Sequence, residues 1–354
     1  MRKLALTIIL ILVTGVGAHA DEIDYVHVTI VDVGVGLCCV IEMPGKHYAI
    51  VDAGCFSEDG NQVIENQLPE LIEPGSEVDL LLFSHPHKDH ISAAQFICDN
   101  YQVKRVIRSG LEYPEIPITD PDGHGPFIGE ITSGCEDYML TDLGDYSDLP
   151  ERTISFSEGE NVATITFLSG FTEFPESWDD TGYGANDKVN AISIVARLDF
   201  AGRSVLFPGD ALGYREPENP GGIDSTGAEL YMYEQNKVTS ELTRLDSDVI
   251  IAGHHGSRTS SSSTFINCVS PEYVIFSAGT SYKHPTEAAA ERYIRYFGED
   301  AINSEKYMFR TDWGDKKREN EWDFGSTTQA DKPGDDDVEI WIYSNGNLHV
   351  AYSH

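Results

Sequence analysis

The segment "SHPHKDH", residues 84 to 90, places three of the chain's twelve histidines and one aspartate within seven residues. His85 and His87 alternate by two, so on extended backbone their imidazoles point the same way. Asp89 and His90 follow at the start of a helix-like stretch. Imidazole nitrogen and carboxylate oxygen are the donors that suit zinc and similar divalent ions. A lone histidine is ordinarily a core residue with a satisfied hydrogen bond, but four donors on one turn are poorly explained that way. Other donors recur at comparable places: Asp52 ends "HYAIVDAG", Asp210 ends "RSVLFPGDA", and His254 and His255 end "DVIIAG". Gly-Asp after a strand is by itself only a turn, and His-His-Gly only a loop. The recurrence carries the inference, because sites in α/β sheets are built at the carboxyl ends of strands.

Positioning these donors requires strands that end together. Three runs come first, "VHVTIVDVG", "LCCVIEMPG" and "HYAIVDAG", each bounded by glycine or proline and rich in β-branched residues, as in a meander. A helix-compatible stretch over about 61–71 precedes the strand "DLLLF", the histidine cluster, the helix-like "ISAAQFICDN" and the strand "VKRVIRSG". From about 111 to 188 the pattern loosens into Pro, Gly, Asp and Ser, which predicts a long loop-rich insertion. Order returns with a hairpin over "NAISIVARLDFAGRSVLFPGDA", a helix over "AELYMYEQNKVTSELTRL", the strands "DVIIAG" and "EYVIFSAG", and the helix "PTEAAAERYIRYFG". Residues 330–354 read as an acidic loop and a hairpin about Asn345-Gly346. Alternation of strands with helices predicts an α/β fold.

The first twenty residues, "MRKLALTIILILVTGVGAHA", combine a basic start, a short apolar run and an Ala-His-Ala ending. They predict a signal peptide over 1–20 cleaved before Asp21, and so a secreted or periplasmic protein free of the membrane after processing. Residues 21–354 are expected to form one domain carrying the 111–188 insertion and the 330–354 tail. Without Arg2 and Lys3, 22 basic residues face 59 acidic ones, a formal charge of −37. Such a field repels polyanions and argues against long nucleic acid as a partner; a salty habitat explains the acidity equally well. Six cysteines in an oxidising compartment permit disulfides, with buried free thiols the alternative for Cys38 and Cys39, and no C-x-x-C pair suggests a thiolate metal site.

"SHPHKDH" resembles the His-x-His-x-Asp-His signature of the metallo-β-lactamase superfamily. "VDVGVGLCCVIEMPGKHYAIVDAG", "NAISIVARLDFAGRSVLFPGDA", "HHGSRTSSS" and "YKHP" are similar to successive blocks of its ComEC-like branch, over most of residues 26–290. That branch includes the hydrolase domain of competence proteins and secreted phosphorylcholine esterases. The resemblance implies an αββα sandwich with two divalent ions, zinc in the first instance and manganese as the other candidate. It implies that His85 and His87 hold the first ion, Asp89 and His90 the second, and that Asp210 bridges them. A histidine of the pair His254 and His255 completes the second site, His255 being favoured, and Asp52 orients the cluster from behind. The sequence departs from the pattern twice. Asn190 stands where many members carry a third histidine for the first ion, with His124 far off in the loose segment, and "GVGLC" replaces a polar Gly-Gln-Gly-Asp block. His284 is a further ligand or an acid near the leaving group, or else a structural histidine before Pro285.

Two ions with open positions lower the pKa of bound water and steady a leaving oxygen, so the implied reaction is hydrolysis, with Asp89, His255 and His284 as catalytic candidates. The branch favours a phosphodiester that is small or surface-bound. Lactone or β-lactam hydrolysis, an extracellular nuclease and a non-catalytic metal-binding member are the alternatives. A nuclease needs a basic track, and Lys104, Arg105, Arg108, Lys316, Lys317 and Arg318 sit in an acidic whole.

Overall fold

The computed structural model describes residues 24–109, 136–139, 152–217, 219, 221–237, 244–279, 282–298, 301, 306–316, 318–326 and 333–353. The leader reading, His124, Cys135 and Lys317 lie outside the described residues.

The expected opening meander is present as β1 (Tyr25–Ile30), β2 (Gly36–Met43) and β3 (His47–Cys55), paired antiparallel in turn. After α1 (Glu58–Leu71), capped by the Ser57 hydroxyl, and the short β4 (Glu77–Val78), the chain runs through β5 (Leu80–Phe83). The histidine turn then leads into two short helices, α2 (Lys88–Ile91) and α3 (Ala94–Asn100), rather than one. β6 (Gln102–Val103), β7 (Arg105–Arg108) and β8 (Glu136–Met139) follow. The second sheet contains β9 (Thr153–Glu158), β10 (Asn161–Ser169), β11 (Val195–Phe200), β12 (Arg203–Phe207), β13 (Val249–Ile251), β14 (Tyr273–Phe276) and β15 (Met308–Arg310). β16 (Val338–Tyr343) and β17 (Leu348–Tyr352) form the expected terminal hairpin, and β16 adds to the first sheet beside β1.

Strand order is β17-β16-β1-β2-β3-β5-β7-β8 in one sheet and β15-β14-β13-β12-β11-β10-β9 in the other. Period-two alternation on each strand supplies two buried faces. Val28, Ile41 and Val51 of the first sheet pack with Ile165, Leu198, Val205 and Ile275 of the second, making the layer between the sheets. The opposite faces are covered by separate apolar clusters: α1 and α3 against the first sheet, and the helices Gly227–Asn236, Ser263–Val269 and Glu287–Phe297 against the second. This is the expected αββα sandwich. Cys38 and Cys39 alternate into different apolar layers, and Cys38, Cys39, Cys55, Cys98 and Cys268 are free thiols.

The loop-rich reading of 111–188 needs correction at its second half. β9 and β10 lie there and form the far side of the second sheet, and helix Ala185–Ala191 closes the segment. β9 is an edge strand whose sequence "TISFSE" exposes Ser155, Ser157 and Glu158, so its apolar signal is confined to Ile154 and Phe156. An edge strand with one wet face carries little hydrophobic signature.

Candidate metal centre

β3 and β5 run parallel, as do β12, β13 and β14, and the residues just past their carboxyl ends meet at one edge of the sandwich. Asp52 sits near the end of β3, Ser84 to His90 follow β5, Asp210 follows β12, and His254 and His255 follow β13. The turn after β5 rides directly on β3. A Cβ on Gly54 would stand 2.6 Å from the Ile91 nitrogen and the Lys88 oxygen and 2.7 Å from the His90 nitrogen, so only glycine admits this approach.

Asp210 lies at the centre. Its Oδ1 is 3.2 Å from His90 Nε2 and 3.5 Å from His255 Nε2, whereas its Oδ2 is 3.8 Å from His85 Nε2 and 3.7 Å from His254 Nε2. His87 Nδ1 is 3.0 Å from His85 Nε2, and Asp89 Oδ2 is 3.6 Å from His255 Nε2 and 3.9 Å from His90 Nε2. Donors bound tetrahedrally at about 2.1 Å stand roughly 3.4 Å apart, so these separations fit ions of zinc's size. His85, His90 and Asp210 form one compact donor group and Asp89, His90 and His255 another. Asp89 Oδ1, Asn190 Oδ1, Asp210 Oδ1 and His284 Nδ1 are buried with no hydrogen-bond partner among the described residues. Buried polar atoms left so exposed to one another call for a ligand.

The ring nitrogens facing away from this centre are held by protein. His90 Nδ1–H donates to Asp52 Oδ2 at 2.9 Å, and Ser84 donates to the same carboxylate through N–H and Oγ–H, each at 2.7 Å. His85 Nδ1–H donates to Ser84 Oγ at 3.0 Å, His255 Nδ1–H to the Ser277 carbonyl at 2.8 Å, and His254 Nδ1–H to Thr259 Oγ1 at 3.3 Å. Each contact turns the Nε2 lone pair inward, as metal-binding histidines require. Asn190 Nδ2 donates to His254 Nε2 at 3.2 Å. The loop after His255 is itself pinned. Glu229, buried and pushed up to about 7 by desolvation, accepts from the Ser261 and Ser262 nitrogens, while Arg292 donates to the Ser260 and Ser261 carbonyls.

The centre polarises itself. Burial alone would raise Asp210, but His90, His255 and His254 outweigh it and hold the carboxyl well below the usual range. Burial lowers His90, yet Asp210, Asp52 and Asp89 together lift it well above its ordinary value, and His255 is raised by Asp210 and Asp89 against the same burial. Burial prevails at His85, His87 and His254, which are lowered. His284 is pulled down to about 3 by burial and by His254 and His255.

The expected donors therefore meet: His85, His87, Asp89, His90, Asp210, His254 and His255 surround one void, Asp52 stands behind it, and Asn190 touches His254. His284 packs against the pair, its ring edge-on to that of His254 at 5.6 Å and stacked with that of His255 at 6.3 Å. Sequence reasoning missed Ser84, Thr259 and Ser277, whose small hydroxyls and carbonyls carry no pattern of their own. Beside the donors lies a cleft of about 270 Å³ lined by His87, Asp89, His254 and His255 from among them, together with Val35, Phe56, Asn186, Ser257, Tyr282 and His284. Val35 comes from the block that lacks its polar residues, and Phe56 and Tyr282 are half-exposed or exposed and 5.4 Å apart at its mouth. Away from the cleft, Lys104 pairs with Glu77 at 2.8 Å and Arg108 is buried.

Residues 31–150 match the model of the metallo-β-lactamase superfamily. The competence protein ComA of Neisseria gonorrhoeae is 27% identical over 275 residues, covering 75% of this chain and 29% of that protein. ComE operon protein 3 of Bacillus subtilis is 22% identical over 65% of the chain and 24% of its own length, and recombination protein 2 of Haemophilus influenzae 23% over 75% and 26%. The chain thus spans less than a third of the length of these relatives. Among solved structures, the metallo-β-lactamase fold protein YhfI from Bacillus subtilis aligns over 80% of this chain and 95% of its own at 11% identity, with a TM-score of 0.42.

Proposed function

We propose that this chain, which belongs to the metallo-β-lactamase superfamily in its ComEC-like branch, is a metal-dependent hydrolase of small phosphodiesters. The observation that carries the reading is the placement of Asp210, whose two carboxylate oxygens each face a different pair of imidazoles. Divalent ions bound by His85, His87, Asp89, His90, Asp210, His254 and His255 would supply an acidic water and a Lewis acid for the leaving oxygen. The protein's own part is to hold that set. Asp210 stays anionic, Asp52 fixes the His90 ring and the Ser84 turn, and Ser277 and Thr259 fix His255 and His254. His284 is a neutral imidazole near neutral pH, so it serves a substrate as a hydrogen-bonding group before it serves as an acid. Phe56, Tyr282 and Val35 offer an apolar rim to a leaving group and exclude water from one side of the cleft.

Substrate size follows from charge and shape. A cleft of about 270 Å³ takes a headgroup or a mononucleotide fragment, while an acidic whole repels a long polyanion. Zinc is the first candidate ion and manganese the second, and the basic start, apolar run and Ala-His-Ala ending of residues 1–20 support a site of action outside the cytoplasm. The test is hydrolysis of bis(4-nitrophenyl) phosphate by protein reconstituted with zinc or manganese. Metal-dependent turnover is expected. Turnover of lactone or β-lactam substrates with none of the phosphodiester would overturn the substrate assignment, and no turnover of any of them by metal-loaded protein would overturn the enzyme.

A further inference from the structure

The first metal position lacks the third histidine of its family pattern, because Asn190 occupies that place. Asn190 nonetheless faces the site, and what it touches is His254. We infer that the adjacent histidines are divided between the two metal positions: His255 serves the one shared with Asp89 and His90, and His254 replaces the missing ligand beside His85 and His87. This assignment rests on the two-metal reading above and refines it.

Three observations support the division. His254 Nε2 and His85 Nε2 both approach Asp210 Oδ2, at 3.7 and 3.8 Å, whereas His255 Nε2 and His90 Nε2 approach Oδ1, at 3.5 and 3.2 Å. The carboxylate thus sorts the imidazoles into two sets. The backbone explains how neighbours in sequence diverge. Both histidines adopt the left-handed region, with φ of 50° at His254 and 55° at His255, and their rings stand at 62° to each other. Two consecutive left-handed residues are costly for non-glycine side chains and are retained where a site imposes them. Each ring also has its own anchor, Thr259 for His254 and Ser277 for His255, and both anchors leave Nε2 as the inward atom.

Asn190 then marks the place of the missing ligand, and Thr259 is the residue that orients His254. The Asn190 amide nitrogen stands 3.2 Å from His254 Nε2, a contact that an ion taking the ring nitrogen's single lone pair would displace, and the buried Asn190 Oδ1 has no hydrogen-bond partner among the described residues. A polar residue is kept at the first position on helix Ala185–Ala191, while the ligating nitrogen arrives from the end of β13.

The experiment is metal counting, independent of turnover. Wild type, His254→Asn and His255→Asn are purified, stripped, titrated with zinc against a competing chelator, and analysed for bound metal. Asparagine tolerates the left-handed backbone, so folding should survive, and a thermal melt of the stripped proteins checks this. The division predicts two ions on wild type and one on each variant, with affinity for the lost position down at least about 10-fold. It further predicts that adding His85→Ala to His254→Asn leaves the one remaining ion in place, whereas adding it to His255→Asn removes the last. Two undiminished ions on His254→Asn, fewer than two on wild type, or loss of the last ion from His254→Asn with His85→Ala would each overturn the division. Two ions on wild type without any hydrolysis would defeat the proposed activity and leave the division standing.

Discussion

Asp52→Asn is an informative single change behind the metal centre, because the carboxylate is buried and has three donors aimed at it. Oδ1 accepts from the Ser84 nitrogen and Oδ2 from both Ser84 Oγ and His90 Nδ1. Asparagine keeps the shape but offers one acceptor oxygen and one amino group. With the oxygen placed toward His90, the amino group meets the Ser84 N–H and a buried donor is left unmatched, at about 1–3 kcal/mol. With the amino group toward His90, Nδ1 must accept, the proton moves to Nε2, and the lone pair meant for the metal is lost. Either arrangement weakens the centre, and loss of such a supporting contact typically costs metal affinity roughly 10–100-fold. Chemical denaturation of the stripped protein reads the first outcome, and zinc titration against a chelator reads the second. An Asn variant with wild-type stability and wild-type zinc affinity would refute the claim that Asp52 orients His90.

Three other outcomes are expected. Gly54→Ala should destabilise the protein by more than about 2 kcal/mol, since the added methyl meets backbone atoms of α2 that cannot rotate away; denaturant midpoints decide it. The stability of metal-free protein should peak near the ordinary histidine value of 6.5. Below it the unfolded chain takes up protons that His85, His87 and His254 refuse; above it the folded chain retains protons on His90 and His255 that the unfolded chain has released. Zinc should abolish the alkaline fall by replacing those two protons, and a flat metal-free profile between about pH 5 and 8 would contradict the assignment. Intact mass of protein recovered from its native compartment should correspond to a chain beginning at Asp21, and a chain retaining Met1 to Ala20 would refute export with cleavage.

Much of the centre was legible because its donors sit just past strong apolar strands, where sequence and geometry agree. "DLLLF", "RSVLF" and "DVII" are buried on both faces and announce themselves, and the donors follow at once. The supporting contacts were not legible, since Ser84, Thr259 and Ser277 act through one hydroxyl or one carbonyl set by tertiary approach. The division of His254 from His255 depends on two left-handed backbone angles, which no spacing reveals. β9 carries a weak strand signal because Ser155, Ser157 and Glu158 fill its wet face, and α2 and α3 look continuous in sequence because the break at Ser92 and Ala93 lies between apolar neighbours.

The central claim is that Asp210 joins two cations into one hydrolytic centre, and the direct measurement is turnover of bis(4-nitrophenyl) phosphate by Asp210→Asn beside its metal content. Removing the shared charge leaves two cations facing each other with poorer shielding, so kcat should fall by at least about 100-fold, with fewer than two ions retained. Wild-type turnover by a variant holding both ions would contradict the bridging role of Asp210 and, with it, the two-metal mechanism.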